Sequence, residues 1–273
     1  MEYNYTGGVE EYLVRAKTLP EAYHEALKIL AAQESLYPCG DWNTRQKEVS
    51  MTMFIETPLA EPLISRLFIG GPKELEQYRQ EMLDGILDFE VEKGNWAYTY
   101  HQRMENQFDF IIEDLKRNAS SRRAVILVRD AAKDMPSEDP ACLQHIQYFI
   151  RNDALHCKVL FRSNDACKAT FMNAFALIML QKRFADALGV KMGSYTHRAN
   201  SFHCYEKDIP MLEGYVKRME DAEDVYDICF DYEDGWQELM ESYQDEIART
   251  VEELKTADNI QNLNINRQVF TNY

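Results

Sequence analysis

The most apolar stretch of the chain is residues 170–188, TFMNAFALIMLQKRFADAL, followed directly by Gly189. It is apolar on most faces, which predicts a helix buried on nearly all sides and stopped by a glycine. Residues 143–150 and 155–161 predict two strands, joined by Arg151-Asn152-Asp153-Ala154, a tight-hairpin signal. Val49-Ser50-Met51-Thr52-Met53-Phe54-Ile55 predicts a strand that ends before Pro58, and residues 124–128 a short buried one. Thr18-Leu19-Pro20-Glu21 marks a helix start with Thr18 as cap, and Tyr23, Ala26, Leu27 and Leu30 then share one face. Further helices are predicted over 72–87, 105–117, 209–219 and 235–254, and an extended segment over 191–205. Strands and helices are interspersed without regular βαβ alternation. The class that follows is α+β, a mixed, mostly antiparallel sheet with flanking helices.

No Pro/Gly/Ser-rich linker or internal repeat interrupts the 273 residues, which predicts a single domain spanning 1–273. A hydrophobic content of 45% against 28% charged residues supplies a core and excludes global disorder. A formal net charge of -16 disfavours nucleic acid and anionic membrane as general partners. A small phosphorylated ligand, needing only a few local arginines, stays compatible. The acidic opening MEYNYTGGVEEY does not read as a secretory signal, and the longest apolar run, 174–180, falls far short of the ~20 residues of a membrane span. The 6 cysteines form no CxxC pair, and His24, His145 and His156 show no ligand spacing, so no metal is expected. Free thiols in a cytoplasmic setting are the simplest expectation. The acidic run 220–234 reads as a solvated face, with a partner surface as the alternative.

The chemistry centres on DPACLQHIQYF, where Cys142 follows a turn and precedes a strand. A cysteine there is ordinarily packing. It becomes a nucleophile when nearby positive charge favours its thiolate. Ser121-Arg122-Arg123 precedes one strand, and Arg162-Ser163-Asn164-Asp165 closes another. An arginine fork beside a hydroxyl suits a phosphate.

In order the chain presents Tyr98-Thr99-Tyr100-His101-Gln102-Arg103, Ser121-Arg122-Arg123, Pro140-Ala141-Cys142, Arg162-Ser163-Asn164-Asp165, Phe171-Met172-Asn173 and His203-Cys204-Tyr205. This series resembles the thymidylate synthase family, which includes the deoxynucleotide hydroxymethylases. The match is close over 96–208 and looser over 43–71, so the motif-bearing core spans about 43–208, followed by an acidic helical region, 209–273. The resemblance implies a thymidylate synthase-like fold and a sheet-mediated homodimer. It implies transfer of a one-carbon unit from 5,10-methylenetetrahydrofolate to C5 of a pyrimidine nucleotide, dUMP by preference, through a Cys142–C6 adduct. Arg162 and Ser163 would hold the phosphate, and Arg122 and Arg123 would reach the partner subunit's phosphate. Asn173 would read the base at N3 and O4; His203 and Tyr205 would bind the sugar 3′-hydroxyl. Asp165 would hydrogen-bond near the base or the nucleophile's loop, Tyr98 would serve proton handling at C5, and Arg45 would be a mobile phosphate arginine. Trp96 would stack on folate or base, or be an ordinary rim tryptophan, and His101 could face the pocket.

The chain also departs from the family. Leu143 stands where a histidine follows the nucleophile, and Phe161 where a glutamine precedes the phosphate arginine. Glu61 is the nearest carboxylate to the family's catalytic glutamate, and the end, Arg267-Gln268-Val269-Phe270-Thr271-Asn272-Tyr273, lacks the usual folate-capping residues. dUMP or dCMP hydroxymethylation is therefore an alternative outcome, and a nucleotide-binding relative without turnover a second.

Overall fold

The computed structural model describes residues 8–256. The C-terminal 267–273 stretch weighed above lies outside the described residues.

The strands are β1 (Glu11–Ala16), β2 (Tyr37–Cys39), β3 (Thr44–Ile55), β4 (Ile64–Ser65), β5 (Val125–Leu127), β6 (Leu143–Arg151), β7 (Ala154–Phe161), β8 (Asn164–Asp165), β9 (Lys191–Tyr205) and β10 (Cys229–Phe230). The α-helices are α1 (Leu19–Ala31), α2 (Pro72–Asp84), α3 (Phe89–Glu92), α4 (Tyr100–Met104), α5 (Phe108–Arg117), α6 (Ala131–Asp134), α7 (Thr170–Leu188), α8 (Ile209–Asp221), α9 (Gln237–Glu241) and α10 (Gln244–Thr256). The main sheet runs β1-β3-β9-β7-β6-β5, with β2 added on β3 and β8 on β9, while β4 and β10 pair separately. The β1–β3, β7–β9 and β8–β9 pairs are parallel, and the other ladders of this sheet are antiparallel. The α+β expectation therefore holds in class and in strand sense.

Local chemistry explains where the elements begin and end. Thr18 Oγ1 accepts from the Glu21 backbone N–H at 3.3 Å, and Glu21 returns the bond to the Thr18 N–H at 3.1 Å, a closed capping box that starts α1. The β6–β7 turn puts Asn152 and Asp153 at φ 52° and 57°, the left-handed pair that a two-residue hairpin needs. α7 ends on Gly189 at φ 67°.

Two expectations need correction, and one strand went unpredicted. The strand expected over 49–55 begins at Thr44, because the polar residues Thr44 to Glu48 pair with β2 and with the end of β9. β1 carries the pattern EYLVRA with only Val14 buried, too weak an alternation to announce a strand. The helix expected over 235–254 is broken: Asp234 and Gly235 leave helical backbone (Gly235 φ 115°), and α9 and α10 follow as separate pieces.

One sheet face forms the core with α1 and α7. Met51, Met53, Ile55, Ile146, Tyr148, Val159, Tyr195 and Ala199 are buried there, with Phe175, Leu177, Ile178 and Phe184 of α7 among the residues that complete it. Burying each large α7 side chain contributes about 1.5–3 kcal/mol. Tyr23 of α1 shares its hydroxyl proton between the carbonyls of Leu67 (3.0 Å) and Ala166 (2.9 Å), fastening α1 to the loops that lead into α2 and α7. The opposite face carries Thr52, Phe54, Lys158, Leu160, Thr196 and Arg198, all partly or fully exposed.

Candidate active site

The carboxyl end of β7 and the start of β6 bring Cys142 and Arg162 together. The Arg162 N–H donates to the Cys142 carbonyl at 2.8 Å. Its guanidinium folds back, with Nε on the Ala141 carbonyl at 3.2 Å and Nη2 on the Pro140 carbonyl at 2.6 Å. The Gln144 amide also donates to the Ala141 carbonyl, at 2.7 Å. The loop is thus clamped on both sides and Cys142, half-buried, is fixed at the strand entrance. Burial pushes the Cys142 thiol up from its ordinary range; the Arg162 guanidinium opposes this, and Asp139 reinforces it. Arg162 and Asp139 stand 3.9 Å apart.

Next along the chain, Ser163 Oγ lies 3.4 Å from His203 Nδ1. β8 pairs with β9 so that Asp165 faces His203 across the ladder, and Tyr205 meets the His203 ring edge-on at 4.8 Å. Asp165 Oδ1 accepts from the Cys167 N–H (3.0 Å) and the Lys168 N–H (2.9 Å). Its Oδ2, and His203 Nε2, are buried polar atoms with no partner among the described residues. Groups like these call for a ligand or an ordered water. Burial raises the Asp165 carboxyl above the usual carboxylate range, with His203 pulling it back.

Asn173, in the first turn of α7, is 4% exposed, and its Oδ1 accepts a hydrogen bond from the Tyr78 hydroxyl of α2. Tyr100 also belongs here: its hydroxyl accepts from the Leu143 N–H at 3.3 Å, and burial raises it well above the ordinary phenol range, with Cys142, Tyr98 and Tyr78 adding to the shift. Burial raises the Tyr98 hydroxyl as well, with Cys142 the next influence. Tyr78, Tyr98 and Tyr100 line a cleft of about 710 Å³, together with Met82, Leu87, Trp96 and Asp139. Glu81 is on the same wall. Aromatic and aliphatic walls with a few polar edges suit a flat heteroaromatic ligand. A folate's fused ring and aryl group fit such a lining. Trp96 both lines this cleft and packs against the small cluster of Leu87, Ile247, Val251 and Leu254.

Other expected residues lie elsewhere. Arg45, exposed at the start of β3, binds Glu206 with Nε 3.0 Å from Oε2, next to Tyr205, so its guanidinium is already engaged at the rim. Arg122 and Arg123 border a separate cleft with Asn118, Ser121 and Arg151. Val125 pairs with Gln147, so Arg123 falls level with Phe149, which is seven residues along β6 from Cys142, or about 23 Å. Within one chain these arginines are too far from the Cys142 loop to share its ligand. Glu61 is not a site residue: its carboxylate accepts from the backbone N–H groups of Leu63 (2.7 Å), Tyr232 (2.9 Å) and Glu233 (3.0 Å), which fixes the β10 connection. His101 is paired with Asp88 at 2.6 Å and stacked edge-on against Phe108.

Tyr78 and Glu81 are the site-lining residues that the sequence reading passed over, while Tyr100 and Asp139 stood inside quoted motifs without a role. Tyr78 and Glu81 are three apart on α2, a helical spacing that was readable, but nothing in their neighbours tied that helix to the thiol.

Residues 75–231 match the family model described as Thymidylate synthase. The "Putative thymidylate synthase" of Methanocaldococcus jannaschii is 33% identical over 218 residues, covering 74% of this chain and 95% of that protein. The protein of the same description from Methanosarcina barkeri is 30% identical over 213 residues, covering 75% and 94%. Among solved structures, the thermostable thymidylate synthase A of Bacillus subtilis superposes with a TM-score of 0.58 at 18% identity, over 74% of this chain and 85% of that one, a likeness of fold. With the family model matched over more than half of its length, this chain belongs to the thymidylate synthase family.

Proposed function

We propose that the protein methylates dUMP to dTMP through a covalent bond between Cys142 Sγ and C6 of the uracil ring. The family's cosubstrate is methylenetetrahydrofolate, which supplies the one-carbon unit and the hydride that reduces it to methyl. The observation that carries this reading is the Cys142–Arg162 unit, in which the guanidinium is built into the loop that presents the thiol. A phosphate held at Arg162 and Ser163 places the nucleotide beside Sγ. Bonding of Sγ to C6 makes C5 nucleophilic. Asn173 offers the uracil edge one amide donor and one acceptor, and His203 and Tyr205 meet the sugar. Tyr98 and Tyr100 lie where the C5 proton leaves. Arg122 and Arg123 serve the partner subunit's phosphate in a homodimer built on the exposed sheet face.

Methylation is favoured over hydroxymethylation by the wall behind the thiol. Leu143 and Phe161 are both 0% exposed, and their apolar side chains stand where the family carries a histidine and a glutamine, which lowers the polarity around the competing quench.

The purified protein incubated with methylenetetrahydrofolate and dUMP or dCMP should give a methylated dUMP and dihydrofolate by mass spectrometry. A hydroxymethyl product with tetrahydrofolate would overturn the methylation reading. Cys142→Ser should lower kcat by about 10³–10⁴-fold or more while dUMP still binds; full residual turnover would remove Cys142 as nucleophile.

A further inference from the structure

An asparagine that reads a pyrimidine can face it in two ways. With Nδ2 toward the C4 substituent and Oδ1 toward N3, it matches a C4 carbonyl beside an N3–H. Flipped, it matches a C4 amine beside an unprotonated N3. The side chain alone does not choose, since the two orientations have nearly the same shape. Something else in the protein must hold one of them.

At Asn173 that group is Tyr78. Its hydroxyl donates to Asn173 Oδ1. Tyr78 reaches there from α2, which packs against α7, while the Asn173 backbone N–H is anchored in helical geometry on the Ala169 carbonyl at 2.9 Å. Asn173 is 4% exposed, so water does not readily replace a lost partner. Flipping the amide would set Nδ2 against the phenol oxygen. A phenol is a good donor and a poor acceptor, because its lone pair is delocalised into the ring. The exchange therefore trades a strong bond for a weak one inside a nearly dry site.

We infer that Tyr78 is a specificity-determining positioning residue: by holding Asn173 Oδ1 it fixes the amide orientation that accepts a pyrimidine with a carbonyl at C4 and penalises one with an amine there. The inference rests on the reading that Asn173 contacts the base. It gives α2, the helix that carries Tyr78, a part in selecting the substrate.

The test is nucleotide binding by calorimetry, with dUMP and dCMP titrated separately into the full chain. The unaltered protein should prefer dUMP. Tyr78→Phe, which removes only the hydroxyl, should reduce the dUMP-to-dCMP preference by about tenfold. Tyr78→Met is the second variant, should the first not fold, and carries the same expectation. Asn173→Asp serves as the separate check on the base contact and should shift the preference toward dCMP. If Asn173→Asp shifts it and loss of the Tyr78 hydroxyl leaves the ratio unchanged, the base contact stands and the role of Tyr78 is overturned. If neither substitution moves the ratio, or if the unaltered protein binds both nucleotides equally, both fall.

Discussion

At the scale of single residues, Leu143 and Phe161 turn two departures from the family pattern into one. They are cross-strand partners on β6 and β7, both fully buried, and Phe161 stacks on the His197 ring at 4.8 Å and 18°. Replacing only one polar member of such a pair would leave the other buried without a partner, at a cost of about 1–3 kcal/mol. Replacing both gives a dry wall. Burial likewise dominates Glu81, whose carboxyl is pushed up to about 7 against the opposing hydrogen bond from Gln77 at 2.9 Å. The unfolded chain releases that proton near 4.5, so the folded state holds a proton that the unfolded state has lost, and stability falls as pH rises from about 4.5 to about 7. Glu81→Gln should remove this slope. Urea denaturation should show the variant gaining on the parent by about 2–3 kcal/mol between pH 5 and pH 8; a constant difference across that range would refute the raised carboxyl.

At the scale of elements, the left-handed glycines that cap α2 and α7 separate backbone strain from crowding. Gly189 (φ 67°) has open space where a Cβ would go. At Gly85 (φ 65°) a Cβ would lie 2.2 Å from His101 Nδ1 and 2.5 Å from Asp88 Oδ2. Gly189→Ala should therefore cost only the backbone penalty of about 1–2 kcal/mol. Gly85→Ala should cost about 2–4 kcal/mol, because the Asp88–His101 pair must also move. Thermal melting of both variants checks the difference, and equal losses would count against the crowding. The same elements show what was legible in the sequence. α7, the β6–β7 hairpin and the α1 cap are local events, written in periodicity, turn residues and a capping box within a few positions. β1 and the first part of β3 are stabilised by ladders to distant strands, and their own pattern is half polar. In the site, Cys142, Arg162, Asn173 and His203 stood out through ordered motifs. Tyr78 and Glu81 did not, because a helix face gives no sign of which cavity it borders. Glu61 misled through its place in the sequence, since nothing nearby foretold that three backbone N–H groups would claim it.

At the scale of the molecule, the distance between the two arginine groups is the telling feature. Arg122 and Arg123 sit about 23 Å along the sheet from the Cys142 loop and cannot serve it within one chain. The homodimer reading makes them serve the partner. A Cys142→Ser chain mixed with an Arg122→Ala chain should then recover activity that neither has alone. Random exchange of equal amounts gives half hybrids with one competent site each, about a quarter of the parent rate. No recovery after demonstrated subunit exchange would assign these arginines another task. A different consequence follows from an interior strand of the sheet. β3 lies between β1 and β9, and Gln46 faces Tyr205, roughly 160 positions later. During synthesis at ~5–20 residues per second, β3 waits about 8–30 s for that partner. Contacts this distant in sequence also slow folding once the chain is free. Through that interval the Met51, Met53 and Ile55 face needs shielding from other chains. The strand that ends the wait brings His203 and Tyr205 with it, so closing the sheet and completing the proposed nucleotide pocket are one event in the life of the nascent chain.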